Sequence, residues 1–159
     1  MGRITAFLTE GSRVEISNER HRWYADEPAE SGGTDAGPTP YDMLLGALAA
    51  CTSLTVSYYA RHKGIAVEWV RAEYTFDRIH AEDCAQCEQD DVGLIEQVSA
   101  YVTIGGEFTE GEQQRLRQIV SRCPVHKTLT HGMHIVDSVA FSGAPPAVAS
   151  FSDEAPPAV

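Results

Sequence analysis

Four cysteines hold most of the chemistry open to this 159-residue chain. Cys51 stands inside TPYDMLLGALAACTSLTVSYYARHKG (39–64), Cys123 inside SRCPVHKTL (121–129), and Cys84 and Cys87 inside the acidic run HAEDCAQCEQDD (80–91). A thiol attacks or ligates only as the thiolate, so its surroundings decide what it does. Arg122, His126 and Lys127 surround Cys123, and Pro124 places it at a helix start; both features favour the thiolate. Cys51 lies on an apolar helical stripe, where burial disfavours charge. Two inert buried thiols are the plainer reading of the pair, because free cysteine is among the most buried residue types.

His80, Cys84 and Cys87 form H-x3-C-x2-C, flanked by Glu82, Asp83, Glu88, Asp90 and Asp91. Three soft or borderline ligands and a carboxylate suit tetrahedral zinc, and the metal would stabilise thiolates that the carboxylates otherwise oppose. A redox pair and a solvated loop with free thiols are the other two readings. His62, His131 and His134 have no ligand partner at useful spacing and read as surface or strand residues. Tyr58 and Tyr59 read as core and interface packing.

The elements that must position these groups are legible. Thr39, Pro40 and Asp42 resemble a capping box with Asp for the usual Glu, and Gly64 after Arg61, His62 and Lys63 is a stop, so a helix runs between them. Leu44, Leu48, Cys51, Leu54, Thr55 and Tyr58 recur at helical spacing, which predicts one inward stripe bearing Cys51. Residues 3–26 alternate as short strands in an antiparallel meander, and 27–39 form a Gly- and Pro-rich loop. Two longer strands are predicted at 66–79 and 93–104. Thr109 and Glu112 cap a second helix with Leu116, Ile119, Val120 and Cys123 on its apolar face; a short helical turn follows over 124–130. Residues 134–141 read as a closing strand, and 142–159 as an Ala/Pro/Ser-rich disordered tail. The chain is therefore read as one domain, 1–141, with a tail at 142–159.

A formal net charge of −11 argues against nucleic acid, whose phosphates would be repelled. No long apolar run lacks polar interruption and no signal-peptide pattern opens the chain, so no membrane is expected and the cytoplasm is the default location.

The segment GGTDAGPTPYDMLLGALAACTSLTVSYYARHKG, together with SRCPVHKTL, resembles the OsmC/Ohr family of osmotically inducible and organic hydroperoxide resistance proteins. The likeness runs over about residues 20–141, and RIHAEDCAQCE resembles one OsmC-like branch. The resemblance implies an α+β fold, with antiparallel sheets wrapped around a central cysteine-bearing helix in an intertwined homodimer. It implies thiol-dependent reduction of organic hydroperoxides. Cys51 would be the peroxidatic cysteine, oxidised to a sulfenic acid, and Cys123 the resolving cysteine that closes a disulfide. A lipoyl-type or similar dithiol would reopen it, with no cofactor required beyond the zinc reading of the loop. Family members hold the peroxidatic thiolate with an arginine and with a glutamate ten residues before the cysteine. That position is Tyr41 here, Asp42 is the nearest acid, and Arg20 and Arg22 are the candidate arginines. The alternative function is non-enzymatic: a dimeric stress-related module that binds zinc or a small apolar ligand.

Overall fold

The computed structural model describes residues 2–8, 10–80 and 93–143. Three short strands, β1 (Thr5–Phe7), β2 (Val14–Ser17) and β3 (Arg22–Ala25), form an antiparallel meander. A 3-10 turn at Ala29–Ser31 interrupts the loop that leads to α1 (Pro40–Lys63). Then come β4 (Trp69–His80), β5 (Leu94–Gly105), α2 (Glu110–Val120) and α3 (Pro124–His131). β4 and β5 pair antiparallel in full register, from Trp69 opposite Gly105 to His80 opposite Leu94.

Local chemistry sets the ends of α1. The Thr39 hydroxyl accepts from the Asp42 N–H while the Asp42 carboxylate accepts from the Thr39 N–H, so the box closes with Asp as it would with Glu. At the other end Gly64 takes φ +68, a left-handed conformation that side chains disfavour, and the Ile65 N–H returns to the Ala60 carbonyl at 2.9 Å. With 24 residues, α1 is roughly 36 Å long. Length and composition would let it cross a membrane. In the fold, β4, α2 and α3 pack against it.

The buried face of α1 is Leu48, Thr52, Val56 and Ala60, a single row of every fourth residue. This corrects the predicted stripe. Leu48 is buried and Cys51 and Thr55 are half-buried, but Leu44, Leu54 and Tyr58 are exposed, Tyr58 by 60%. The physical reason is that α1 is apolar around most of its circumference, so spacing alone does not select a face. Small residues at 52, 56 and 60 let neighbouring elements approach closely. Val56 and Ala60 join Ile65, Leu116 and Ile119 in the core, with Val70, Ile104 and Phe108 packed around them. Along β4, Val70, Ala72, Tyr74 and Phe76 alternate as the half-buried face, while Arg71, Glu73, Thr75 and Asp77 face outward.

Two further expectations change. Residues 134–141 form no strand: Ile135, Val136, Val139 and Phe141 are exposed, Phe141 by 97%. A strand exists only against another edge, and this segment meets none among the described residues. Cys123 is not on α2, which ends at Val120. Proline pushes the residue before it into extended backbone, and Cys123 accordingly sits at φ −54, ψ 131 as the N-cap of α3. The tail beyond residue 143 and the loop at 81–92 lie outside the described residues.

The loop before α1 is anchored by Asp26, which no sequence pattern singled out. Its buried carboxylate accepts from the Ser12 hydroxyl at 2.6 Å, the Thr34 hydroxyl at 2.5 Å, and the N–H groups of Glu27, Thr34 and Ala36. These bonds to the charged form, the Ser12 and Thr34 hydroxyls foremost, hold the carboxyl far below the usual carboxylate range.

Candidate active site

The fold brings Cys51 and Cys123 side by side. Cys51 comes from the middle of α1 and is half-buried; Cys123 comes from the start of α3 and is 0% exposed. Both are free thiols whose sulfurs interact directly. Pro124 at the first position of α3 has no N–H to offer, so the first free amides of that helix are those of Val125 and His126. The His126 N–H reaches the Cys123 sulfur at 3.5 Å, and the Val125 N–H acts on both sulfurs.

Burial pushes the Cys51 thiol up, and the neighbouring Cys123 sulfur pushes it further. Burial acts on Cys123 in the same sense, but the Cys51 thiol, the His126 N–H, the Thr52 hydroxyl and the Val125 N–H outweigh it and hold Cys123 below the ordinary thiol range. Two interacting thiols titrate as a pair. Of the two, Cys123 is therefore the one whose surroundings favour the thiolate, and Cys51 the one whose surroundings favour the thiol.

The other predicted site residues have contacts of their own where they are described. Asp42 is engaged in the capping box at the start of α1, nine residues and roughly 13 Å along the helix from Cys51. Arg20 lies exposed in the β2–β3 turn, its N–H bonded to Asn18 Oδ1 at 2.8 Å. Arg22 pairs with Glu15 at 3.3 Å. Neither arginine is among the leading influences on Cys51. Tyr41, at the family's acid position, packs its ring against Phe76 with centroids 4.5 Å apart. His80 ends β4, exposed, while Cys84 and Cys87 fall outside the described residues, and no cluster of metal-binding side chains occurs among the described residues.

Sequence reasoning missed Thr52 and Tyr74. Thr52 is 0% exposed and its Oγ1 lies 2.9 Å from Tyr74 Oη. The strand alternation that puts Tyr74 on the same face as Val70 and Phe76 was the available signal. Thr52 gave none, since a threonine beside small residues reads as helix filler.

The geometry defines a protein class. A family model for OsmC-like proteins matches residues 32–136, and the chain belongs to that family. Among solved structures, the chain is similar to an OsmC-like protein from Mycoplasma pneumoniae, at 26% identity over 82% of this chain and 87% of that one, with a TM-score of 0.64. It is similar to an organic hydroperoxide resistance protein OsmC from Legionella pneumophila, at 18% identity over 81% of this chain and 88% of that one, TM-score 0.58. The organic hydroperoxide resistance protein OhrB of Bacillus subtilis matches at 20% identity over 80% of this chain and 89% of that one, TM-score 0.53. No curated protein matches the chain. The α+β architecture of the family is the architecture of this chain.

Proposed function

We propose that this protein is a thiol peroxidase for organic hydroperoxides. The observation that carries this reading is the meeting of a half-buried and a fully buried free cysteine from α1 and α3. Membership of a family that includes organic hydroperoxide resistance proteins supports it. Cys51, the more accessible sulfur, attacks the peroxide O–O bond, becomes a sulfenic acid and releases an alkoxide that takes a proton from water. The Cys123 sulfur then displaces water from that sulfenic acid to form the disulfide, and a dithiol of the lipoyl type reduces it by exchange. A greasy tail would settle on the exposed apolar stripe beside Cys51, each buried methylene contributing about 0.8 kcal/mol.

The working unit in this reading is a homodimer. Leu44, Leu54 and Tyr58 flank Cys51 on the uncovered side of α1, and Ile135, Val136, Val139 and Phe141 are exposed beyond α3. Surface of this kind marks association sites.

The test uses one equivalent of cumene hydroperoxide followed by peptide mapping. The expected result is a Cys51–Cys123 disulfide in the wild type, no turnover in Cys51→Ser, and a trapped sulfenic acid at Cys51 in Cys123→Ser. If Cys51 stays reduced while Cys84 and Cys87 oxidise, the assignment is wrong. A non-enzymatic binder of apolar ligands is then the better reading, one that Tyr41 at the family's acid position already favours.

A further inference from the structure

The β1–β3 meander closes on a cleft that the thiol pair does not use. Thr5 pairs with Ser17 and Ser17 with Arg22, so the chain start and the β2–β3 turn meet at one end of the sheet. Between them lies a cleft of about 340 Å³ lined by Gly2, Arg3, Asn18, Glu19, Arg20 and His21. Clefts of about 300 Å³ and above hold small molecules. Two arginines and a histidine outnumber one glutamate in this one. The bias is local: residues 1–25 hold four arginines against three glutamates, in a chain whose formal net charge is −11. A concavity lined by one sign of charge concentrates the opposite sign.

One wall of the cleft is a fixed turn. Asn18 Oδ1 accepts the Arg20 N–H at 2.8 Å and the His21 N–H at 2.7 Å, and the Asn18 N–H donates to the His21 carbonyl at 3.0 Å. With both N–H groups on its oxygen, the Asn18 amide keeps its Nδ2 hydrogens to donate elsewhere. Arg3 and Arg20 form no ion pair or ring contact among the described residues, whereas Arg22 pairs with Glu15, Arg71 with Glu73 and Arg78 with Glu96. Their guanidinium donors are therefore uncommitted. A guanidinium is planar, and its fork matches the oxygens of a phosphate or a carboxylate.

We propose that this cleft is an anion site for a phosphate group, free or carried on a small ester, with Arg3 and Arg20 as its forks and Asn18 and His21 as further donors. Phosphate is selected by the arrangement. Arg3 comes from the chain start and Arg20 from the turn, so the two forks approach from different sides. A tetrahedral group offers oxygens to both at once, while a flat carboxylate is matched by one fork alone. Two arginines also balance a dianion. Glu19 repels any second negative group, so a polyanion is disfavoured. In this reading the exposed Arg20 serves a ligand of its own and not the thiol pair. The site stands on the first three strands and is independent of the peroxidase reading.

The test is an amide NMR titration of the full chain at low ionic strength, where screening is weak. The probes are inorganic phosphate, glycerol phosphate and acetate. The amides of Gly2, Arg3, Glu19, Arg20 and His21 should shift together along one saturable curve, with both phosphates binding well ahead of acetate. A glycerol phosphate that binds more tightly than inorganic phosphate marks an ester as the ligand; the reverse order marks free phosphate. Arg3→Gln and Arg20→Gln should each weaken phosphate about tenfold, the loss of one charge-assisted contact. Glu19→Gln should strengthen it a few-fold, because a repelling carboxylate is removed. All three side chains are exposed, so the variants should fold, and thermal melting checks each. Arg78→Gln, on the β4–β5 hairpin, should leave phosphate binding unchanged.

Shifts that grow without saturating, or that spread equally over Arg71, Arg78 and the cleft, overturn the site and show general charge screening. Acetate that binds as tightly as phosphate overturns the choice of ligand. A phosphate affinity left intact by both Arg3→Gln and Arg20→Gln overturns the assignment of the forks. None of these readouts involves Cys51 or a peroxide, so failure here leaves the thiol chemistry as it stands.

Discussion

Closing the Cys51–Cys123 bond should stabilise the protein, and the size of the effect follows from the chain. The two cysteines are separated by 123 − 51 = 72 positions. A cross-link removes loop-closure entropy from the unfolded chain, about 2.1 cal/mol/K plus 1.5R times the logarithm of the loop length. For this loop the term is about 15 cal/mol/K, or about 4.4 kcal/mol at room temperature. The sulfurs already interact in the reduced fold, so the bond needs little rearrangement to form. Urea unfolding followed by circular dichroism, at one protein concentration, should show the peroxide-oxidised protein more stable than the reduced one by several kcal/mol. With a urea slope of about 2 kcal/mol/M the midpoint should rise by about 2 M. Cys51→Ser and Cys123→Ser should show no such rise, which separates this bond from any chemistry at Cys84 and Cys87. If the wild type loses both thiols to peroxide and its midpoint stays put, the two cysteines are not bonded to each other within one chain, and the mechanism built on their meeting is refuted.

Leu116→Ala opens a hole in the core where Leu116 packs with Val56 and Ile119, and should cost about 2–5 kcal/mol in the same urea assay. Thr109→Ala removes the capping box of α2, in which the Thr109 N–H donates to Glu112 at 2.8 Å, and should cost about 1 kcal/mol, read as a lower melting temperature. Asp26 gives an acid signature. Folding lowers its carboxyl from 3.8, so the stability it adds is complete above that unfolded value and drains away as pH falls through the folded one. Asp26→Asn should therefore destabilise the protein at neutral pH and flatten the wild type's loss of stability below about pH 4, as measured by melts at a series of pH values.

Elements whose signals are local were legible in the chain. Thr39, Asp42 and Gly64 announce the ends of α1, Thr109 and Glu112 the start of α2, and the residue pattern reveals β4 and β5 as two separate strands, because each of these patterns is decided within a few residues. What failed depends on neighbours distant in sequence. The buried face of α1 was misread because nearly every face of that helix is apolar, and the choice belongs to α2, α3 and β4. The strand expected at 134–141 needs an edge that the described residues do not supply. Of the candidate site, Cys51 and Cys123 were recognised by type, and their pairing followed from the family resemblance. Thr52 and Tyr74 went unseen because a hydroxyl matters only for what it points at, and that is set by folding.

The site is built unevenly, and the unevenness has a physical meaning. Cys123 is enclosed on every side by groups of its own chain: α3 amides, the Thr52 hydroxyl and the Cys51 thiol. Cys51 is enclosed on one side only. Toward β4 it neighbours the buried row of α1, and away from it the helix surface continues as the exposed Leu44, Leu54 and Tyr58, the last with the Arg61 guanidinium 5.1 Å from its ring centroid. The Cys123 half is complete within one chain, where packing fixes the donors around the sulfur. The Cys51 half, which would admit the substrate in the proposed reading, is open and apolar. In the proposed peroxidase reading, a peroxide would therefore meet Cys51 on an apolar surface, with Cys123 behind it. Covering the open side with a second copy would shape the substrate pocket without disturbing the donors that hold Cys123.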